Sequence, residues 1–349
     1  MLPLRDQLAL TAPRLTWITD RRGHAPMAER AADSRGMEKR GDNMGSDLRQ
    51  AARAREIALQ VDTLPLLPSV LVRVLSLDAD SDDYFDQLVE LASREPNLAV
   101  RLLRYANSAM SAPGRPIHTL HQAAMRIGTQ ECTHMVTALA VARVFVPSTP
   151  AQRDLWRHSL LVAHVSRLLA RHACNRREAR ELSYIAGLLH DIGRFAMFKV
   201  ASGDLLKVSE ADWASPAELL ATEERLLGYD HSELGGLVCE RWQMPALLTQ
   251  VVRLHHRNPL PVVEGAVMEQ LRIVRLADAV AVQLAVQPEV AQLPAGQLAV
   301  ALAGACATTE LGRDPALLLQ VAEGIPPTLA EVELGMEMLM GLEPGRAAH

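Results

Sequence analysis

Gly187-Leu188-Leu189-His190-Asp191-Ile192-Gly193 ends an apolar helical run with an imidazole beside a carboxylate, then leaves through a second glycine. Adjacent helical residues point about 100° apart. The pair can therefore share an ion only if that ion sits off the helix edge between them. The reading turns on whether other His and Asp residues can converge on this doublet. His158, His231, His255, His256 and Asp278 are the candidates, and apart from the adjacent pairs each lies in its own helical stretch. Bundles build metal sites in this way, from inward side chains of several helices. Imidazole with carboxylate suits Fe, Mn, Zn or Ni, and the lack of a thiolate disfavours a structural zinc site. Asp278 is a lone acid within the apolar run 273–281. Burying it uncompensated would cost several kcal/mol, so it calls for a metal or a protonated histidine.

Around these residues the chain reads as helical throughout. Its 349 residues are 49% apolar but only 3% aromatic, enough for a sizeable core and favouring helices over a β-sandwich. A formal charge of −5 carries no basic footprint for nucleic acid. Cys132, Cys174, Cys239 and Cys306 form no CxxC pair and read as reduced, buried thiols. The best apolar stretch, 136–146, is too short to span a bilayer, and the N-terminus has no apolar core of a secretory signal. A cytoplasmic protein that does not engage membranes is expected.

Residues 1–50 mix Arg, Asp, Gly and Ala without a sustained period and read as a disordered tail. Residues 51–147 read as an N-terminal helical sub-bundle. Within it, helices are expected over 84–93, from Pro96 through Ala106, and over 119–128 and 131–145, with N-cap candidates at Asp80–Asp83. Pro147-Ser-Thr-Pro150 punctuates the chain. A second, HD-like sub-bundle follows over 148–290. Residues 291–349 then add short helices around 298–305, 315–322 and 329–342, packing back on the bundle. The expected fold is all-α and two-lobed.

The Gly187–Gly193 run, with His158 upstream and Asp278 downstream, resembles the H…HD…D pattern of HD-superfamily metal-dependent phosphohydrolases. More specifically, the chain resembles the HDOD family, the HD-related output domain of bacterial signalling proteins. The resemblance rests on Leu64-Pro-Leu-Leu-Pro68, Glu95–Ser108, Ile117–Gly128, Trp156-Arg-His-Ser159, Asp230-His231, Trp242-Gln-Met-Pro245 and His255-His256, in family order over about 58–285. It implies a non-catalytic signalling or regulatory module that acts through protein partners, often within cyclic-di-GMP networks. The resemblance also implies His158, His190, Asp191 and Asp278 as the HD ligands. His231, His255 and His256 match the further ligands of two-metal HD-GYP phosphodiesterases, and Asp154 falls where some of those carry an acidic ligand.

Two departures weigh against that enzymatic alternative, a phosphohydrolase acting on a nucleotide or cyclic dinucleotide. Arg194 stands where HD-GYP enzymes carry a lysine; it could clamp a phosphate but not donate a proton. Ser-Glu-Leu-Gly-Gly follows His231 in place of Gly-Tyr-Pro.

Plainer readings stand beside these. His190 and Asp191 could form a structural hydrogen-bonded pair in a fold that has lost its metal. His231 could simply open a helix capped by Asp230. One of His255 and His256 should be solvated, since adjacent helical residues face different ways. His118, His121, His134, His164 and His172 belong to no constellation and read as surface or satisfied core residues. Asn107 reads as a helix C-cap, and Trp156 and Trp242 as anchors between the sub-bundles. The oligomeric state is open.

Overall fold

Capping chemistry starts the helix on which the fold is built. Thr149 Oγ1 accepts from Gln152 N at 3.2 Å, and Gln152 Oε1 accepts from Thr149 N at 3.0 Å. Pro150 occupies the first turn, so a full capping box launches 24 helical residues. The computed structural model describes residues 57, 59–78, 81–107, 116–174, 177–201, 205, 207, 208, 216–263 and 265–341. The expected tail over 1–50 and the segment 342–349 lie outside them.

In chain order the helices are α1 (Ser69–Leu75), α2 (Tyr84–Ser93), α3 (Pro96–Ala106), α4 (Leu120–Ile127), α5 (Thr129–Val144), α6 (Pro150–Ala173) and α7 (Arg177–Leu189). Then come α8 (Ile192–Val200), α9 (Pro216–Leu227), α10 (His231–Arg241), α11 (Ala246–Leu254), α12 (Gly265–Val286), α13 (Ala295–Cys306) and α14 (Pro315–Met340). No strand occurs among the described residues, and the fold is all-α. No described helix is long and apolar enough to cross a membrane.

Helix α6 is the spine. It packs lengthwise against α7, α12 and α14, while α8 packs on α10 and α10 on α11. One hydrophobic core runs from Ile57 to Leu339 without a break at Pro147. The junction there is held from both sides. Trp156, fully buried, donates its indole N–H to Phe145 O at 2.8 Å. Trp242 donates to Pro65 O at 3.1 Å. Asn107 does cap α3, and its side chain also brackets Ile117, accepting from its N–H at 2.8 Å and donating to its carbonyl at 2.9 Å. All four cysteines are buried and unbridged.

Asp83 takes the expected N-cap position of α2, without a side-chain capping bond; its carboxylate accepts from Ser81 Oγ. One local expectation is corrected. The pieces expected at 315–322 and 329–342 are one helix, α14, that runs through Pro326 and Pro327. An interior proline costs about 3 kcal/mol, which is why the sequence reads as a break. Both prolines lie on the exposed side, however, while Leu318, Val321, Ile325 and Val332 are buried. Burial of each such side chain contributes about 1.5–3 kcal/mol, enough to carry the helix across the break.

Candidate metal centre

Two glycines explain why the doublet lies where it does. Helix α7 stops at Leu189, so His190 and Asp191 occupy the turn before α8, outside helical geometry. A Cβ on Gly187 would stand 2.7 Å from Ser166 Oγ and 2.9 Å from Ala163 Cα, so α7 presses directly onto α6, the helix that carries His158. A Cβ on Gly193 would stand 1.8 Å from the carbonyl oxygen of His231. Backbone-to-backbone contact there brings the first residue of α10 to the doublet. Asp230 caps that helix, its Oδ1 accepting from Glu233 N at 2.8 Å.

The structure brings all seven predicted residues together, in two groups that could each hold an ion: His158, His190 and Asp278, and Asp191, His231, His255 and His256. Asp191 stands between them. Its Oδ1 lies 3.3 Å from His231 Nε2 and 3.7 Å from His255 Nε2. Its Oδ2 lies 3.7 Å from His190 Nε2 and 3.9 Å from His158 Nε2. His158 Nε2 also lies 3.3 Å from Asp278 Oδ1 and 3.4 Å from His190 Nε2.

Three of the imidazoles have their tautomers set from behind. His190 Nδ1 donates to Gly187 O, His231 Nδ1 to Glu223 Oε2 and His255 Nδ1 to Val252 O, each at 2.7 Å. These partners only accept, so in the neutral ring it is Nε2, on the side of Asp191, that carries the lone pair. Asp191 Oδ1, His231 Nε2 and His255 Nε2 are buried and take no hydrogen bond. Lone pairs that converge on a carboxylate repel one another unless a proton or a metal ion lies among them. The donor set therefore fits a divalent transition metal.

Burial sets the acid–base character. Burial pushes the His190 pKa down to about 4, against the pull of Asp191 and Asp278. It also pushes His256 well down, with His255 adding to the effect. Burial would raise Asp191 and Asp278, but the surrounding imidazoles outweigh it and hold both carboxyls below their ordinary value. At His231 burial opposes the charge, yet Glu223 and Asp191 prevail and raise its pKa.

Several expectations change. His256 is half-buried and joins the centre although His255 keeps helical dihedrals, its ring centroid lying 5.2 Å from that of His231 and 4.1 Å from that of His255. Asp154 belongs to neither group; its carboxylate lies 3.9 Å from Arg157. Arg194 is half-buried, with its guanidinium 3.8 Å from Asp191 Oδ2. His118, His121 and His172 are exposed, but His134 and His164 are not isolated. Both rings are buried and pack on Tyr184, beside buried Arg167 and the half-buried Glu131, Glu181 and Glu331. Glu223 was not anticipated, since it reads as part of a charged run. Its position four residues from both Leu219 and Leu227, which are buried, is the signal that places it on an inward face.

The sequence profile of the HDOD domain matches residues 64–258, more than half of the chain. The chain belongs to the HDOD domain family. Asp278 lies beyond the matched span of this HDOD chain and reaches the site through the packing of α12 on α6 and α7. An HDOD domain protein of unknown function from Geobacter sulfurreducens has the same fold. It is 23% identical, with a TM-score of 0.62 over 83% of this chain and 98% of that one. A Shewanella amazonensis SB2B protein, provisionally named a phosphohydrolase, is 25% identical, with a TM-score of 0.58 over 82% and 97%. An uncharacterized protein of Treponema pallidum (strain Nichols) is 26% identical over 208 residues, or 59% of this chain and 40% of that one. The HDOD chain thus spans well under half of that relative's length.

Proposed function

We propose that this HDOD module holds two divalent transition-metal ions about Asp191 and acts in the cytoplasm as a signal-transduction element, through contacts with regulatory partner proteins. The observation that carries the metal reading is the placement of Asp191, with each carboxylate oxygen turned to a separate set of imidazoles. His158, His190 and Asp278 would hold one ion, and His231, His255 and His256 the other, with Asp191 between them. The signalling half of the proposal is supported by family membership.

Arg194 favours a second reading, hydrolysis of a nucleotide or cyclic-dinucleotide phosphoester. Bound ions of this kind supply Lewis-acid polarisation and activation of water. The Arg194 guanidinium stands beside the centre and offers a planar fork of donors to a phosphate oxygen. Asp191 and Asp278, both held ionised, would keep the ligand set anionic.

The test is metal content by elemental analysis of the purified protein and of a His190→Ala, Asp191→Ala double variant, with turnover of phosphodiesters measured after Mn(II) or Fe(II) loading. Two metals per chain without turnover, lost in the variant while partner binding persists, is the expected outcome. Metal-dependent turnover abolished by the variant would establish the hydrolase instead. A wild-type protein that takes up no metal would overturn both readings.

A further inference from the structure

Glu223 lies outside the ligand set, on α9, and is fully buried. Its Oε2 accepts two hydrogen bonds from one residue: the His231 backbone N–H at 2.9 Å and the ring Nδ1–H at 2.7 Å. Its Oε1 is buried without a hydrogen-bond partner. The unsatisfied acceptor costs about 1–3 kcal/mol, set against the two bonds that Oε2 makes. The two comparable rings, His190 and His255, are held by neutral backbone carbonyls of their own helices. His231 is thus distinct among the three in being held by a carboxylate, which comes from another helix.

We propose that Glu223 is the positioning residue of the centre: it fixes the Nδ1-protonated tautomer of His231, makes its Nε2 a stronger donor, and so makes the Asp191–His231–His255–His256 group the tighter of two unequal metal sites. The inference rests on the metal reading above and deepens it. A carboxylate behind a ligating imidazole raises ligand basicity and fixes ring orientation, and loss of such a partner weakens metal binding roughly 10–100-fold. In the other group His190 is backed by the neutral Gly187 carbonyl. Loading should therefore be ordered, with the first ion going to the His231 side.

Co(II) titration of the metal-free full chain, followed by its d–d absorption, tests this with Glu223→Gln, which keeps the shape and removes the charge. Wild type should bind two equivalents in resolved steps. In the variant the tighter step should weaken roughly 10–100-fold while the weaker one stays in place, so that the steps merge or invert. A parallel measurement needs no metal. At alkaline pH, where the ring is neutral, nitrogen-15 shifts of His231 should report a single Nδ1-protonated tautomer in wild type and a mixture in Glu223→Gln. Unchanged affinities in a folded variant would overturn the proposal, as would an equal loss at both steps. If wild-type protein binds no Co(II), the metal reading fails and the ordered loading with it. The ring shifts then still decide whether Glu223 sets the tautomer. Glu223→Asp, which retains charge but draws the carboxylate back, covers the case in which Glu223→Gln does not fold; it should show the same selective loss.

Discussion

At the residue scale the doublet depends on two positions where nothing but hydrogen fits. The space at Gly193 is taken by the carbonyl of His231 and the amide of Gly235, both backbone atoms. No rotamer change relieves such a clash. Gly193→Ala should cost about 3 kcal/mol or more, read as a lower urea midpoint, and should also lower metal content by pushing α10 away from Asp191. Gly296→Ala is the control. That residue sits in α13 with open space around its Cα, so alanine should be neutral or stabilising by about 0.5–1 kcal/mol. A Gly193→Ala variant as stable as wild type would show that α8 and α10 can separate without loss. Glu223 and His231 make the same point through polarity. The role of each side chain is set by what stands behind it as much as by the residue itself.

At the scale of elements, α5, α6, α7 and α14 meet at a second polar cluster, whose carboxylates are half-buried. Arg167 on α6 bridges Glu131 of α5, at 3.1 Å, and Glu331 of α14. His164 Nδ1 lies 2.9 Å from Glu331. Burial would raise the Glu131 pKa, but His134, His164 and Arg167 hold it at about 2 against an ordinary 4.5. Its ionised form is therefore favoured in the folded chain, and that stabilisation is present above pH 4.5 and lost as pH falls toward 2. Burial lowers the His164 pKa below 6.5 in spite of its two carboxylate neighbours. Below pH 6.5 the unfolded chain takes up a proton that the folded chain resists, again favouring unfolding in acid. The two act in the same direction. Urea midpoints should fall between pH 6.5 and 3, and Glu131→Gln should be less stable at pH 7 with a shallower acid slope. A slope unchanged in Glu131→Gln would remove this cluster as a source of acid sensitivity. The interior prolines of α14 belong to this scale too. Local rules end a helix there, and the face packed on α6 continues it.

For the whole molecule, five helices or helix ends feed one centre, so a ligand bound there would tie together α6, α7, α10, α11 and α12. Binding to the folded state alone stabilises it by RT ln(1 + [L]/Kd), about 2.7 kcal/mol at a hundredfold excess over Kd. Chelator treatment should lower the melting temperature and Mn(II) or Zn(II) should restore it, by several degrees for a chain of this size. The Asp191→Ala protein should show no such response. Equal melting with and without metal would count against a centre that spans the bundle.

The chemistry of the site is local and was legible in the chain. The glycine-flanked His190-Asp191 run, the lone Asp278 in an apolar helix and Asp230 before His231 mark candidate ligands and a cap by residue type and spacing, because helical period and capping are properties of short segments. Helix bounds such as Tyr84–Ser93 follow for the same reason. Other features required the packing. His256 lies against the His231 ring because α11 packs on α10. His134 and His164 meet across different helices, Glu223 reaches His231 from α9, and α14 passes through two prolines because its opposite face is buried. The sequence alone determined which groups could bind a metal and that helices would carry them. Only the tertiary structure decided that Asp191 stands between two sets of imidazoles, because convergence is set by how closely α7 and α8 approach their neighbours, and sequence spacing does not encode that distance.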